Sequence, residues 1–68
     1  METIGAKIKQ LREEIGLSQM ELSKKIDISQ SAIARYELGK TEPKASDIIK
    51  FAEFFCVSAD YLLGLSDI

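Results

Sequence analysis

Apolar side chains recur every three or four residues along almost the whole chain, and nowhere do they alternate with the period of two that marks a strand. Ile4, Ile8, Leu11 and Ile15 fall on one face of a helix over residues 3–15, which Gly16 stops. Lys7, Lys9, Glu13 and Glu14 lie off that stripe and read as a solvated face, with Arg12 beside it. A second helix, residues 18–26, buries Leu22 and Ile26, and a third, residues 30–38, turns Ile33 and Tyr36 inward. In a fourth, residues 45–55, Ile48, Phe51, Ala52 and Phe55 form a wide stripe that Ile49 and Phe54 extend; a fifth covers residues 58–63. Ser18, Ser29 and Ser58 stand where N-caps belong, and Glu21 completes a capping box with Ser18. Leu17 with Leu22, Ile28 with Ile33 and Val57 with Leu62 have the spacing of hydrophobic staples. The pattern predicts a compact all-α, five-helix domain over residues 1–68.

Only Asp27-Ile28 separates the second helix from the third, too short for a parallel hairpin and right for a helix-turn-helix. The third helix then stands prominently on the surface. Its outward residues, Gln30, Ser31, Ala34 and Arg35, are small or polar and carry no acid. This suits a DNA major groove, where glutamine makes paired hydrogen bonds to adenine and arginine to guanine. Glu37 breaks the rule. Phosphate would repel its carboxylate, so it is expected to face inward or to be neutralised by a cation such as Arg12. Gln19, directly after the Ser18 cap, lies at a helix N-terminus that attracts phosphate, or is simply an exposed glutamine. Lys40, Thr41 and Lys44 form a polar loop suited to DNA-backbone contact or to solvent. Near the C-terminus, Tyr61, Leu63, Leu65 and Ile68 exceed what a small core readily hides, leaving core packing or partner contact as their roles.

Composition narrows the classes. Of 68 residues, 46% are hydrophobic and 29% charged, which favours folding over disorder. No apolar run approaches the ~20 residues of a membrane span, and the N-terminus lacks a signal-peptide core, so a cytoplasmic location is expected. One cysteine, Cys56, excludes an internal disulfide and a multi-thiolate site, and with no histidine neither a metal nor another cofactor is expected. The net charge of −2 argues mildly against nucleic acid, but its distribution softens the objection. Residues 6–44 carry eight Lys/Arg against six Asp/Glu; residues 45–68 carry one against four.

Leu17-Ser18-Gln19-x-x-Leu22-Ser23, Ile28-Ser29-x-x-x-Ile33 and Tyr36-Glu37-x-Gly39-Lys40-x-x-Pro43 together resemble the Cro/C1-type helix-turn-helix, or XRE, family. The ending Phe54-Phe55-Cys56-Val57-Ser58-Ala59-Asp60-Tyr61-Leu62-Leu63-Gly64 is similar to that of prophage repressors in it. The resemblance implies a lambda-repressor-like DNA-binding fold. It further implies a dimeric transcriptional regulator, commonly a repressor, that sets its third helix into the major groove of a palindromic operator on double-stranded DNA. By that analogy Ser29, Gln30, Ser31 and Arg35 read bases, while Gln19, Lys40, Thr41 and Lys44 grip phosphates. Arg12 and Glu37 occupy positions that form an internal ion pair in relatives, and Tyr61, Leu63, Leu65 and Ile68 become candidate dimer contacts. Members of the family either end near this length or carry a further domain.

Five positions depart from the family pattern. Ser23 replaces a packing alanine and must bond its hydroxyl nearby; Asp27 replaces a turn glycine. Leu38 stands for a frequent asparagine, Lys44 for a frequent serine cap, and Cys56 for asparagine or glycine. Cys56 reads as a tolerated substitution, since nothing around it lowers a thiol pKa. Two further readings compete with DNA binding. The fold also suits an antitoxin or adaptor that binds protein through its apolar C-terminal end. An enzyme is disfavoured: without histidine, a Gly-rich phosphate loop or a serine beside a base, no catalytic constellation can be assembled.

Overall fold

The computed structural model describes residues 3–68. The described residues form five α-helices: α1 (Ile4–Glu14), α2 (Gln19–Ile26), α3 (Gln30–Leu38), α4 (Ala45–Phe55) and α5 (Ala59–Leu62). Side-chain caps begin four of them. Thr3, Ser18, Ser29 and Ser58 each accept the backbone N–H three residues on, and at Ser18 the box closes as its own N–H donates to Glu21 Oε1 at 2.8 Å. α4 starts at Lys44 without any side-chain cap.

α3 packs between α1 and α2, α4 lies against α2 and α5, and α5 returns to α1. Their common interior holds Ile8, Leu22, Ile33, Phe51 and Leu62, each essentially without solvent contact. Phe51 is the hub: Tyr36 meets it edge-on at 6.3 Å between centroids and Phe55 stacks on it at the same separation. None of the described helices is long and apolar enough to cross a membrane.

Two expectations of the periodicity fail. Ile15 is 55% exposed because α1 ends at Glu14, and the residue after the last turn leaves the stripe. Ile49, also 55% exposed, lies beyond the width of α4 that α2 and α5 cover. A third correction concerns Lys7, which is half-buried rather than solvated: its ammonium donates to the Tyr61 carbonyl at 2.7 Å and sits 4.7 Å from the centre of the Tyr61 ring. The close approach of α1 to α3 depends on Gly5, where a Cβ would lie 1.8 Å from the Tyr36 carbonyl oxygen.

Candidate nucleic-acid interface

The turn between α2 and α3 is built from one left-handed residue and two side-chain contacts to its backbone. Asp27 takes the left-handed conformation (φ 59°, ψ 46°), which aspartate tolerates better than most side chains. Ser23 Oγ donates to the Ile28 carbonyl at 2.6 Å, so the hydroxyl that replaces a packing alanine ties the turn to α2. Lys50 reaches over from α4 and donates to the Asp27 carbonyl at 3.1 Å. With its entrance held in this way and Gly39 (φ +74°) ending it, α3 presents a fixed face.

On that face Ser29, Gln30, Ser31 and Arg35 are exposed, and Ala34 is half-buried. The Ser29 and Ser31 hydroxyls lie 3.5 Å apart. Arg35 makes no side-chain hydrogen bond or ion pair with any described residue, so its guanidinium is free for an external acceptor. Leu38 ends the face, 70% exposed. Glu37, the single acid of α3, points the other way into a bidentate contact with Arg12: Nε to Oε2 at 2.7 Å and Nη2 to Oε1 at 2.9 Å. Arg12 Nη1 also donates to the Leu17 carbonyl at 2.7 Å. The Glu37 hydrogen bond raises the guanidinium's pKa further, against the opposing effect of burial, and keeps it charged.

The pair continues to the surface. Gln19 Nε2 donates to Glu37 Oε1 at 3.0 Å, and Gln30 Nε2 donates to Gln19 Oε1 at 3.0 Å. Gln19 is therefore half-buried and engaged, not a loose glutamine at a helix end. Its pairing with Gln30 escaped the reading of periodicity, although the repeated Ser-Gln at 18–19 and 29–30 was a signal for it. Both glutamines occupy the first position of a serine-capped helix, and the turn brings those two starts together.

Lys40, Thr41 and Lys44 are exposed in the segment after α3. Thr41 and Lys44 share a polar depression with Arg35 and Lys50, beside the start of α4; Glu42 lines the same depression and reduces its positive character. Beneath it, the Tyr36 hydroxyl donates to Asp47 Oδ2 at 2.6 Å, a buried bond between α3 and α4 that no periodicity signals. That bond, together with burial, holds the Tyr36 pKa above its usual value.

The C-terminal apolar residues separate into two groups. Tyr61 is half-buried against the core and held by Lys7. Leu63, Leu65 and Ile68 are 49%, 75% and 88% exposed, so the core does not take them.

A family model described as helix-turn-helix matches residues 8–62. Over 66 residues the chain is 29% identical to the HTH-type transcriptional regulator ImmR of Bacillus subtilis, a match covering 97% of this chain and 52% of ImmR. It is 32% identical over 59 residues to YonR, an uncharacterized HTH-type transcriptional regulator derived from the SPbeta prophage of the same species, covering 87% of this chain and 55% of YonR. The chain thus spans about half the length of these curated relatives. Among solved structures, the P22 c2 repressor in complex with a synthetic operator is similar with a TM-score of 0.88 at 27% identity, covering 97% of this chain and all of that one.

Proposed function

This chain belongs to the helix-turn-helix family in its Cro/C1-type (XRE) form, and from that premise we propose that it is a sequence-specific, double-stranded-DNA-binding transcriptional regulator acting as a homodimeric repressor. The observation that carries the reading is the outward face of α3: exposed Gln30, Ser31 and Arg35, with the helix's only acid turned inward onto Arg12. Set into a major groove, Arg35 donates two hydrogen bonds to guanine O6 and N7, Gln30 pairs with adenine, and Ser29 and Ser31 bond to adjacent edges. Gln19 spends its remaining N–H on a phosphate at the start of α2, while Lys40, Thr41 and Lys44 neutralise the backbone on the other side of the helix. Arg12 and Glu37 are structural in this scheme. The likeness to the P22 c2 repressor, solved on a synthetic operator, supports the docking.

The size of the chain supports pairing. Its longest Cα extent is 28 Å, less than the ~34 Å between successive major-groove faces, so reading two half-sites of a palindrome takes two copies. Leu63, Leu65 and Ile68, with the edge of Tyr61, provide the apolar surface for their contact. The test is selection of bound duplexes from a random DNA pool, repeated with Arg35→Ala. Enrichment of a palindrome whose preference relaxes at one base pair in the variant, by ~1–3 kcal/mol, is expected. No enriched duplex, or an unchanged preference, refutes the reading. The same exposed leucines favour a second reading, an antitoxin or adaptor module whose C-terminal end binds another protein; a stable heteromeric partner co-purifying with the chain, together with absence of DNA selection, would select it.

A further inference from the structure

One large apolar side chain stands on the polar reading face. Leu38 follows Ser31 by one heptad of α3, so the two lie only ~20° apart about the helix axis, with Ala34 and Arg35 flanking that line one turn back. Leu38 is 70% exposed and belongs neither to the core nor to the apolar residues packed against it. The helix stop does not use it either, being closed by backbone bonds from Gly39 N–H to the Tyr36 carbonyl and from Lys40 N–H to the Arg35 carbonyl. A single leucine on a protein surface needs no explanation by itself. This one is in line with the side chains that enter the groove, and Ala34, four residues earlier, puts its Cβ on the same side of the helix.

The apolar group among the base edges of the major groove is the C5 methyl of thymine; the other edges offer hydrogen-bond donors and acceptors. A leucine laid against a donor or acceptor strips it of water and returns no bond, whereas against the methyl it removes apolar surface from water on both sides. We propose that Leu38, backed by Ala34, is a specificity-determining residue that reads a thymine methyl, extending the base-reading set of α3 beyond Arg35. The inference rests on the major-groove reading above. Three residues along a helix are a rise of ~4.5 Å, against ~3.4 Å between base pairs, so the thymine lies one or two base pairs from the pair that Arg35 reads. An asparagine at this place offers hydrogen bonds; the leucine exchanges them for a contact that one base alone provides.

Uracil in place of thymine deletes the methyl and leaves the base pairing and the O4 acceptor as they were. On the duplex selected by the wild-type chain, each thymine near the Arg35-dependent pair of one half-site is replaced in turn by uracil, and wild type, Leu38→Ala, Leu38→Asn and Leu38→Met are titrated on the whole set. For wild type, one replacement should weaken binding about fourfold, the worth of one buried methyl group. Leu38→Ala and Leu38→Asn should bind the thymine and uracil forms within about twofold of each other. Leu38→Met, still apolar and a comparable helix former, should keep the penalty. Thermal unfolding of Leu38→Ala should match wild type, because the side chain lies outside the core. A Leu38→Ala chain that shows the full wild-type penalty at that thymine overturns the proposal, and so does a wild type indifferent to uracil at every position near the Arg35-dependent pair. A loss of affinity equal on all duplexes, with the methyl penalty unchanged, assigns Leu38 to the sugar wall of the groove and likewise overturns it. In each of these outcomes the selected duplex and its dependence on Arg35 persist. If instead wild type selects no duplex, or Arg35→Ala relaxes no base pair, the major-groove reading itself fails.

Discussion

Arg12 holds the buried Glu37 carboxylate, to which Gln19 and, through it, Gln30 are joined. Truncating it leaves Glu37 buried without its counter-charge, so Arg12→Ala should destabilise the chain by about 3–5 kcal/mol, measured by urea denaturation. That is a large part of the ~5–15 kcal/mol available to a small domain. The Tyr36–Asp47 bond makes a pH-dependent contribution. Tyr36 donates while neutral, so folding raises its pKa above the usual 10.0, first through the bond to Asp47 and then through burial. The stability this contributes is fully present below pH 10 and is lost as the pH rises through the higher folded value. As the pH rises above about 10, wild-type stability should fall along a slope that Tyr36→Phe flattens. Tyr36→Phe itself should cost about 1–3 kcal/mol at neutral pH, because it leaves the Asp47 carboxylate without its donor.

Among the elements, α4 and the contact between α1 and α3 make opposing predictions. α4 begins at Lys44 without a side-chain bond to its first turn, so Lys44→Ser should stabilise the chain by ~1 kcal/mol. At this chain length that corresponds to a rise in Tm of about 4–8 °C. The same change removes a proposed phosphate contact and should weaken DNA binding on every sequence alike, with the salt dependence reduced by roughly one unit of slope. Stability and affinity thus move in opposite directions in one variant, a combination that loss of structure cannot imitate. At Gly5, alanine gains up to ~1 kcal/mol of helix propensity. Its Cβ, however, would meet the Tyr36 carbonyl oxygen at 1.8 Å, and backbone does not swing aside as a side-chain end can. Overpacking should win: Gly5→Ala is expected to lose about 1–3 kcal/mol net in calorimetry.

For the whole molecule, charge and exposed apolar surface set what it meets. With a net charge of −2, attraction to DNA rests on a few cations, among them Arg35, Lys44 and Lys50 around the depression between α3 and α4, against the Glu42 and Asp47 that line it too. The apolar group at the C-terminal end makes a separable prediction. Leu65 is 75% exposed and adds little to the core, so Leu65→Asp should leave Tm unchanged within experimental scatter. In sedimentation, wild type is expected to gain mass with concentration and Leu65→Asp to remain a monomer; equal behaviour of the two would remove Leu65 from the self-contact.

The local code of the chain was legible by itself. Three serines and one capping box marked helix starts, the apolar period marked inward faces, and the sign of Glu37 on an otherwise acid-free face pointed to Arg12. The caps and faces rest on interactions within a few residues, which neighbouring residues suffice to determine; the Arg12 pairing, 25 residues away, followed from charge and from the family resemblance. Tertiary structure decided the rest. Ile15 and Ile49 fit the period yet lie outside the area that other helices cover, because periodicity gives a direction and not the width of the contact. Gly5, Lys7, Lys50 and Asp47 acquire their roles only from backbone or side chains brought in from other helices. Gln19 and Gln30 are 11 residues apart in the chain, and each alone is an ordinary polar helix start. Only the angle at which α2 and α3 meet brings their amides to 3.0 Å, and only the buried carboxylate behind them gives that contact its direction.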